Sequence, residues 1–269
     1  PTSLMTIARG YIIRGPQHFS TTVPSLYEAV FSGIPNNGIY DFPIGSDQFN
    51  LIGNPYPSAI DADLFMTDIN NASSIDGALY FWTHNTPIQQ SGSEYIYTAD
   101  DYATYNRTGG TGTAKGAALS GGQVPSGKIA SGQSFFVGTA SGIPANSRFQ
   151  FKNSMRIIDQ NTQFFKQAST KKATAIEKNR VWLNLTNSGG AFRQLLVGYI
   201  TGATNDWDNL YDGPTFDGQE FVDFYSTNQG KNLTIQGRAL PFVDTDVVPL
   251  GYRSTIAGPF DISIDNRDG

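Results

Sequence analysis

An acidic segment in the last third of the chain has the residue types of a cation site. Its candidate ligands are Asp206, Asp208, Asp212 and Asp217. Carboxylate oxygens on turns are ligands that Ca²⁺ prefers. The EF-hand spacing is absent, however, and the pairs Asp212-Gly213 and Asp217-Gly218 are equally typical of tight turns. Calcium is therefore the one cofactor that the sequence suggests, with turn formation as the alternative.

Two further acids, Asp61 and Asp63, follow the stretch "GNPYP" (53–57) within six residues. Proline cannot donate to a sheet, and Ser58 with Asp61 has the spacing of a capping box. This pattern predicts a strand that ends and a short helix near 59–70. On a helix, side chains two residues apart project about 200° from each other, so these acids cannot share one substrate atom. The stretch predicts a corner of the fold, with one capping acid and one solvated acid, and not an active site.

Other residue types that commonly perform catalysis lack the required context, so the sequence predicts no catalytic residue. His18 and His84 each have no second histidine nearby in the sequence. No serine lies in a G-x-S-x-G elbow. The segment "GGTGTAKG" (109–116) lacks the spacing of a phosphate-binding loop and belongs to a long stretch rich in Gly, Ser, Thr and Ala.

Aromatic residues suggest carbohydrate binding. The candidates are Tyr80, Trp82, Tyr95 and Tyr97. Rings on one face of a strand could hold a sugar, but consecutive aromatic residues point to opposite faces, so alternate rings must fill the core. Whether these rings are buried or form an open platform distinguishes the two interpretations.

The composition excludes several classes of protein. A net charge of −5 argues against a nucleic-acid partner, which requires clustered Lys and Arg. The absence of cysteine excludes disulfides and thiolate sites. No apolar run approaches the ~20 residues that span a bilayer. The 29 glycines and 14 prolines in 269 residues are typical of a turn-rich β protein.

The positions of strands and turns predict an all-β fold of two consecutive antiparallel β-sandwich domains, jelly-roll or Ig-like. The first domain spans 1–158 and carries a long Gly/Ser/Thr-rich loop. A polar, lysine-bearing segment (159–179) predicts a linker. The second domain spans 180–269, where "RVWLNLTN" alternates cleanly, with Val181, Leu183 and Leu185 on one face.

Several motifs together resemble one family across nearly the whole chain. They include "NLIGNPYPSAIDADLF" (50–65), "GALYFWTHNTP" (77–87), "IASGQSFFVGT" (129–139), "RVWLNLTNSGGAFRQLLVGYITGATN" (180–205) and "VPLGYRSTIAGPFDISID" (248–265). The sequence resembles the region before the C-terminal sorting domain in large secreted surface proteins of Bacteroidota, which the type IX secretion system exports.

This resemblance implies a signal peptide, an extracellular or outer-surface location, and recognition by the type IX machinery through a sorting domain expected to begin near Gly269. We therefore expect a non-enzymatic adhesin, stalk or cargo body. A carbohydrate-binding or glycan-processing module of a secreted polysaccharide-degrading system, with surface glycans as partners, is the alternative. The resemblance itself does not supply a ligand.

Overall fold

Strands form most of the regular structure in the computed structural model, which describes residues 4–13, 23, 25, 28, 30–83, 89–91, 94–96, 101–113, 124–161, 176–216 and 221–269. The strands of the first half are β1 (Tyr40–Pro43), β2 (Phe49–Gly53), β3 (Ile60–Asp61), β4 (Ile75–Trp82), β5 (Gln89–Ser91), β6 (Glu94–Ile96), β7 (Tyr102–Tyr105), β8 (Gly110–Thr111), β9 (Lys128–Ile129), β10 (Ser134–Thr139) and β11 (Arg148–Phe151). Those of the second half are β12 (Lys178–Thr186), β13 (Phe192–Ile200), β14 (Gly213–Pro214), β15 (Val222–Asn228), β16 (Lys231–Ala239), β17 (Leu250–Ser254) and β18 (Asp261–Asp268). The helical elements are α1 (Ala62–Met66) and a 3-10 helix (Asn153–Met155).

Two larger sheets organise the chain. The five-stranded sheet has the order β2-β10-β4-β7-β8, and the seven-stranded sheet has the order β17-β15-β16-β13-β12-β18, with β14 paired to β16. Strands pair antiparallel in both sheets, except that β13 and β16 run parallel. The predicted all-β class with antiparallel sheets is confirmed.

The stretch "GNPYP" is a corner that one buried side chain holds together. The Asn54 amide donates to the carbonyl oxygens of Ser58 at 2.8 Å and of Ile129 and Ala130 at 3.1 Å each. Its Oδ1 accepts from the Tyr56 N–H at 3.0 Å. Since all four partners are backbone groups, two in the following turn and two at the end of β9, Asn54 fixes the path from β2 to β3.

The short helix after this corner is confirmed, but its predicted start and cap are wrong. Residues Ile60 and Asp61 pair with β9, so the backbone stays extended past Ser58. Asp61 is the N-cap, because its Oδ1 accepts from the N–H groups of Asp63 and Leu64 at 2.9 and 3.2 Å. Helix α1 then buries Phe65 against three phenylalanine rings, whose centroids lie 5.0–5.8 Å away.

One face of the seven-stranded sheet packs on the first half of the chain. Tyr80 donates its hydroxyl hydrogen to the Pro214 carbonyl at 3.0 Å, and the Asn209 amide donates to the Ala72 carbonyl at 2.8 Å. The contact includes a cluster of buried side chains, Trp182, Leu196 and Ile235, on this inner face. Lys178 and Asn179, which fall within the predicted linker 159–179, belong to β12.

The opposite, outer face of this sheet carries the core of the second half. Leu185 is buried there with Leu195 and Val197, and Val181 and Leu183 pack against them. The predicted alternation along β12 is therefore confirmed. In the described part of the chain, no helix is both long and apolar enough to cross a membrane.

Candidate functional site

A polar cleft lies where the inner face of the seven-stranded sheet meets the β7–β8 hairpin. We call it the inter-half cleft; its volume is about 370 Å³. Its lining residues are Tyr105, Gly109, Gly110, Val124, Pro125, Ser126, Lys178, Arg180, Trp182, Asp265, Asn266 and Asp268. The hairpin and 124–126 thus supply one wall, and β12 and β18 supply the other.

Hydrogen bonds to both halves hold the β7–β8 hairpin. Asn106 donates to the Gly77 carbonyl at 3.2 Å and accepts from the Thr108 N–H at 2.9 Å. The Thr108 hydroxyl donates to the Tyr211 carbonyl of the second half at 2.7 Å, and this bond is buried. The hairpin is consequently a fixed wall of the cleft.

A β-bulge in β18 aims several polar residues at the same side. Trp182 pairs with Asn266 and Leu183 pairs with Ile264, so Asp265 is the extra residue between them. Such a bulge changes the direction in which neighbouring side chains point. Here the consecutive residues Asp265 and Asn266 both line the cleft, and Asp268 joins them.

Arg180 occupies the centre of the strand wall. Its guanidinium donates to the two Asp268 carboxylate oxygens at 2.9 and 2.5 Å and to the Thr108 carbonyl at 3.1 Å. It also lies over the Trp182 ring, 4.9 Å from the centroid. The Trp182 indole N–H donates to the Gly110 carbonyl at 2.8 Å. This network immobilises the wall and links it to the hairpin.

Lys178 and Asp63 form a partly buried charged group beside this wall. The Lys178 ammonium donates to the Arg107 carbonyl at 2.5 Å. Burial lowers the pKa of Lys178, while the Asp63 charge opposes that shift. Burial likewise raises the pKa of Asp63, which accepts from the Tyr105 hydroxyl at 3.1 Å. Burial also raises the pKa of Tyr105 well above its usual value, so this hydroxyl stays protonated and serves as a hydrogen-bond donor.

The chemistry of the cleft is that of a polar binding site. Its lining contains two cations, Lys178 and Arg180, and two carboxylates, Asp265 and Asp268, so the formal charges cancel. Asp265 also accepts from the amides of Asn184 and Gln194 at 3.0 and 3.1 Å. These charged side chains are therefore held by neighbours and are suited to hydrogen bonding more than to nucleophilic attack.

The sequence-predicted aromatic site is not an open platform at Tyr80. Tyr80 is 1% exposed, and burial raises the pKa of its hydroxyl. Its ring contacts Phe216 of the second half, with centroids 5.0 Å apart. Trp82 is half-buried beside a hollow of about 200 Å³. Tyr95 lies in β6, whereas Tyr97 lies outside the described residues.

The structure does not bring the described members of the acidic segment together as cation ligands. Asp212 is fully buried and accepts from the N–H groups of Asp208 and Gly237, at 2.9 Å each. Asp208 accepts from the Thr204 N–H at 2.5 Å, and Asp206 accepts from the Gln229 amide at 2.8 Å. Across the described residues, no group of three or more His, Asp or Glu side chains could hold a metal ion. Asp217, His18 and His84 lie outside the described residues.

Asp61 and Asp63, which follow the corner, both make contacts that stabilise the fold. Besides capping α1, Asp61 forms an ion pair with Lys128 of β9. The prediction that Asp63 is solvated is wrong, because Asp63 is partly buried and its carboxylate accepts from Tyr105. Through Tyr105 it contacts the lining of the inter-half cleft.

Sequence reasoning missed the residues of this cleft. Lys178 falls in the predicted linker, and the "DISID" pattern predicts an ordinary strand for Asp265. The available signal was Trp182 on the face of β12 opposite Leu183, since a large aromatic residue there indicates that this second face is also covered. The bulge itself has no sequence signature here.

Comparison with known proteins gives a family and no further relative. No curated protein and no solved structure matches the chain significantly. The family described as "Domain of unknown function (DUF8693)" matches residues 1–269. Because the match covers the whole sequence, the chain belongs to this family.

Proposed function

We propose that this chain is a non-enzymatic region of an extracellular protein exported by the type IX secretion system, where it acts as an adhesin, stalk or cargo body. The observation that supports the non-enzymatic part of this proposal is the structural role of the "GNPYP" corner, and the export route rests on the sequence resemblance. Asn54 there uses its whole amide to hold backbone groups of β9 and the following turn. The stretch that was a candidate for the edge of an active site therefore has a structural role.

Other motifs that carry the family resemblance support the same function. "GQSFFVGT" contains β10, which pairs with both β2 and β4 in the five-stranded sheet. "VWLNLT" lies in β12, which pairs with both β13 and β18. Residues that pair in this way form a scaffold, as a structural surface region requires.

The export proposal is testable in the cells that produce the protein. Intact cells would be treated with a membrane-impermeant biotin reagent and the chain detected with an antibody, alongside a strain that lacks the type IX outer-membrane channel. We expect labelling on intact wild-type cells and retention in the periplasm of the channel mutant. Equal surface labelling in both strains would contradict the proposed route, and a cytoplasmic location would contradict the proposed function.

A further inference from the structure

The geometry of the inter-half cleft points to a ligand, and we propose that this cleft binds a neutral saccharide. This inference deepens the proposed adhesive function, and rests on it, by naming the class of ligand. The site is distinct from the aromatic residues that the sequence suggested.

The first argument is the concentration of polar groups that the bulge in β18 produces. A regular strand presents alternate residues to one face. Because Asp265 is an extra residue in the register, Asp265, Asn266 and Asp268 all line the cleft. Bulges occur preferentially beside functional sites, where they redirect side chains.

The second argument is hydrogen-bonding capacity. The ammonium of Lys178 has three donors, one of which goes to the Arg107 carbonyl. Asp265 accepts two bonds from amides, whereas a carboxylate offers about four lone-pair sites. Ser126 also lines the cleft, and its hydroxyl has no partner among the described residues. A ligand with many hydroxyl groups can satisfy donors and acceptors together.

The third argument is charge. Arg180 is neutralised by Asp268, and the two other charged residues of the lining, Lys178 and Asp265, carry opposite charges. An anionic or cationic ligand would find its charge uncompensated in this cleft, which is costly where water is partly excluded. A neutral ligand avoids that cost.

The fourth argument is size. The cleft volume of about 370 Å³ is within the range of small-molecule sites, about 300–1,000 Å³. Trp182 and Tyr105 also line it, but they are only 6% and 8% exposed, so most of the surface that a ligand meets is polar. A small polar cleft of this kind matches the hydroxyl rim of a sugar.

The test uses the 269-residue chain and a panel of neutral trisaccharides: cellotriose, maltotriose, mannotriose, xylotriose and chitotriose. Trigalacturonate serves as the acidic comparator, and binding is measured by titration calorimetry and ligand-observed NMR. We expect at least one neutral trisaccharide to bind with one-to-one stoichiometry. If none binds at about 10 mM, a level at which even weak sites are occupied, or if trigalacturonate binds more tightly than every neutral sugar, the proposal is wrong.

Two variants locate the site. Asp265→Asn and Asn266→Ala should each weaken binding about fivefold, the effect of one lost hydrogen bond. Asp261→Asn changes an exposed acid on the same strand outside the cleft and should bind as the wild type does. Thermal unfolding of each variant checks that folding is intact. Binding that survives both cleft substitutions would overturn the assignment, whereas surface labelling of cells would still decide the export proposal separately.

Discussion

Asn54 shows how one buried amide can organise a turn that contains two prolines. Pro55 and Pro57 have no N–H group and cannot continue a strand ladder. The carbonyl oxygens around the corner need donors, and the Asn54 side chain supplies them to Ser58, Ile129 and Ala130. Since Asn54 is only 6% exposed, water cannot readily replace it.

We predict that Asn54→Ala lowers the free energy of unfolding by about 1–3 kcal/mol, because buried carbonyl groups lose their partner. Asn54→Asp should destabilise at least as much, since it presents carboxylate oxygens to the same carbonyls. Urea unfolding measures both effects. Asn50→Ala, nearby in β2, is the control and should change stability by less than about 0.5 kcal/mol. Equal stability of the Asn54 and Asn50 variants would refute the role of the corner.

We predict that the buried Asp212 carboxyl makes the free energy of unfolding depend on pH. Burial raises the pKa of Asp212 from 3.8 to about 7. The two backbone N–H groups that donate to its carboxylate lower the pKa, but their effect is smaller. A raised pKa means that the folded protein binds the proton more tightly than the unfolded chain does. Its stabilising contribution is therefore complete below about pH 3.8 and is lost as the pH rises through about 7.

The measurement is the free energy of unfolding between pH 4 and pH 8 for the wild type and for Asp212→Asn. The wild type should lose stability relative to the variant as the pH rises, because asparagine does not titrate. Parallel curves for the wild type and Asp212→Asn would show that Asp212 has no raised pKa.

At the scale of elements, Asp61 both caps helix α1 and forms an ion pair with Lys128. Two substitutions distinguish these roles. Asp61→Ala should cost about 0.5–2 kcal/mol for the lost cap, plus at most about 1 kcal/mol for the partly exposed pair with Lys128. Asp61→Asn keeps a capping oxygen and loses only the pair, so it should be milder. Thermal or urea unfolding gives the order. An Asp61→Ala variant as stable as the wild type would show that Asp61 is not the cap.

How well each element could be predicted depends on how local its cause is. The alternation of Val181, Leu183 and Leu185 is a local pattern, and the outer face of β12 follows from it. The corner at "GNPYP" was also predictable, because proline excludes a continuing strand. Helix α1 began later than predicted since Ile60 pairs with β9, which is more than sixty residues away in sequence. The helix also ends earlier than predicted, at Met66.

The inter-half cleft could not be predicted for the same reason. Its walls come from β7–β8, residues 124–126, β12 and β18, and nothing local indicates that these segments meet. The bulge at Asp265 depends on the register between β12 and β18. Tyr80 was ambiguous in the sequence, and only the contact with Pro214 and Phe216 of the second half determines its burial.

At the scale of the whole molecule, close approach between the halves depends on glycine at Gly198 of β13. A Cβ atom there would lie 2.8 Å from Thr108 of the hairpin and 3.0 Å from Arg180. Gly198→Val should therefore push the hairpin from the sheet and cost about 1–3 kcal/mol by overpacking, measured by urea unfolding. Gly138→Ala in β10 is the control, because its added Cβ meets neighbours at an ordinary 3.5 Å. Equal stability of the two variants would contradict a tight contact at Gly198.

The predicted linker gives the last test, which concerns how the halves associate. Its polar, lysine-bearing composition predicts that trypsin cuts first at Lys166, Lys171 or Lys172. Lys178 should resist cleavage, because it lies in β12 and donates to the Arg107 carbonyl.

After this single cut the two fragments should still elute together in size-exclusion chromatography. Hydrogen bonds such as Tyr80–Pro214 and Asn209–Ala72 join the halves independently of the linker. In Gly198→Val the cut fragments should separate more readily. First cleavage within 180–265 would contradict the linker, and separation of the cut wild-type fragments would show that the contacts between the halves are too weak to form a permanent cleft.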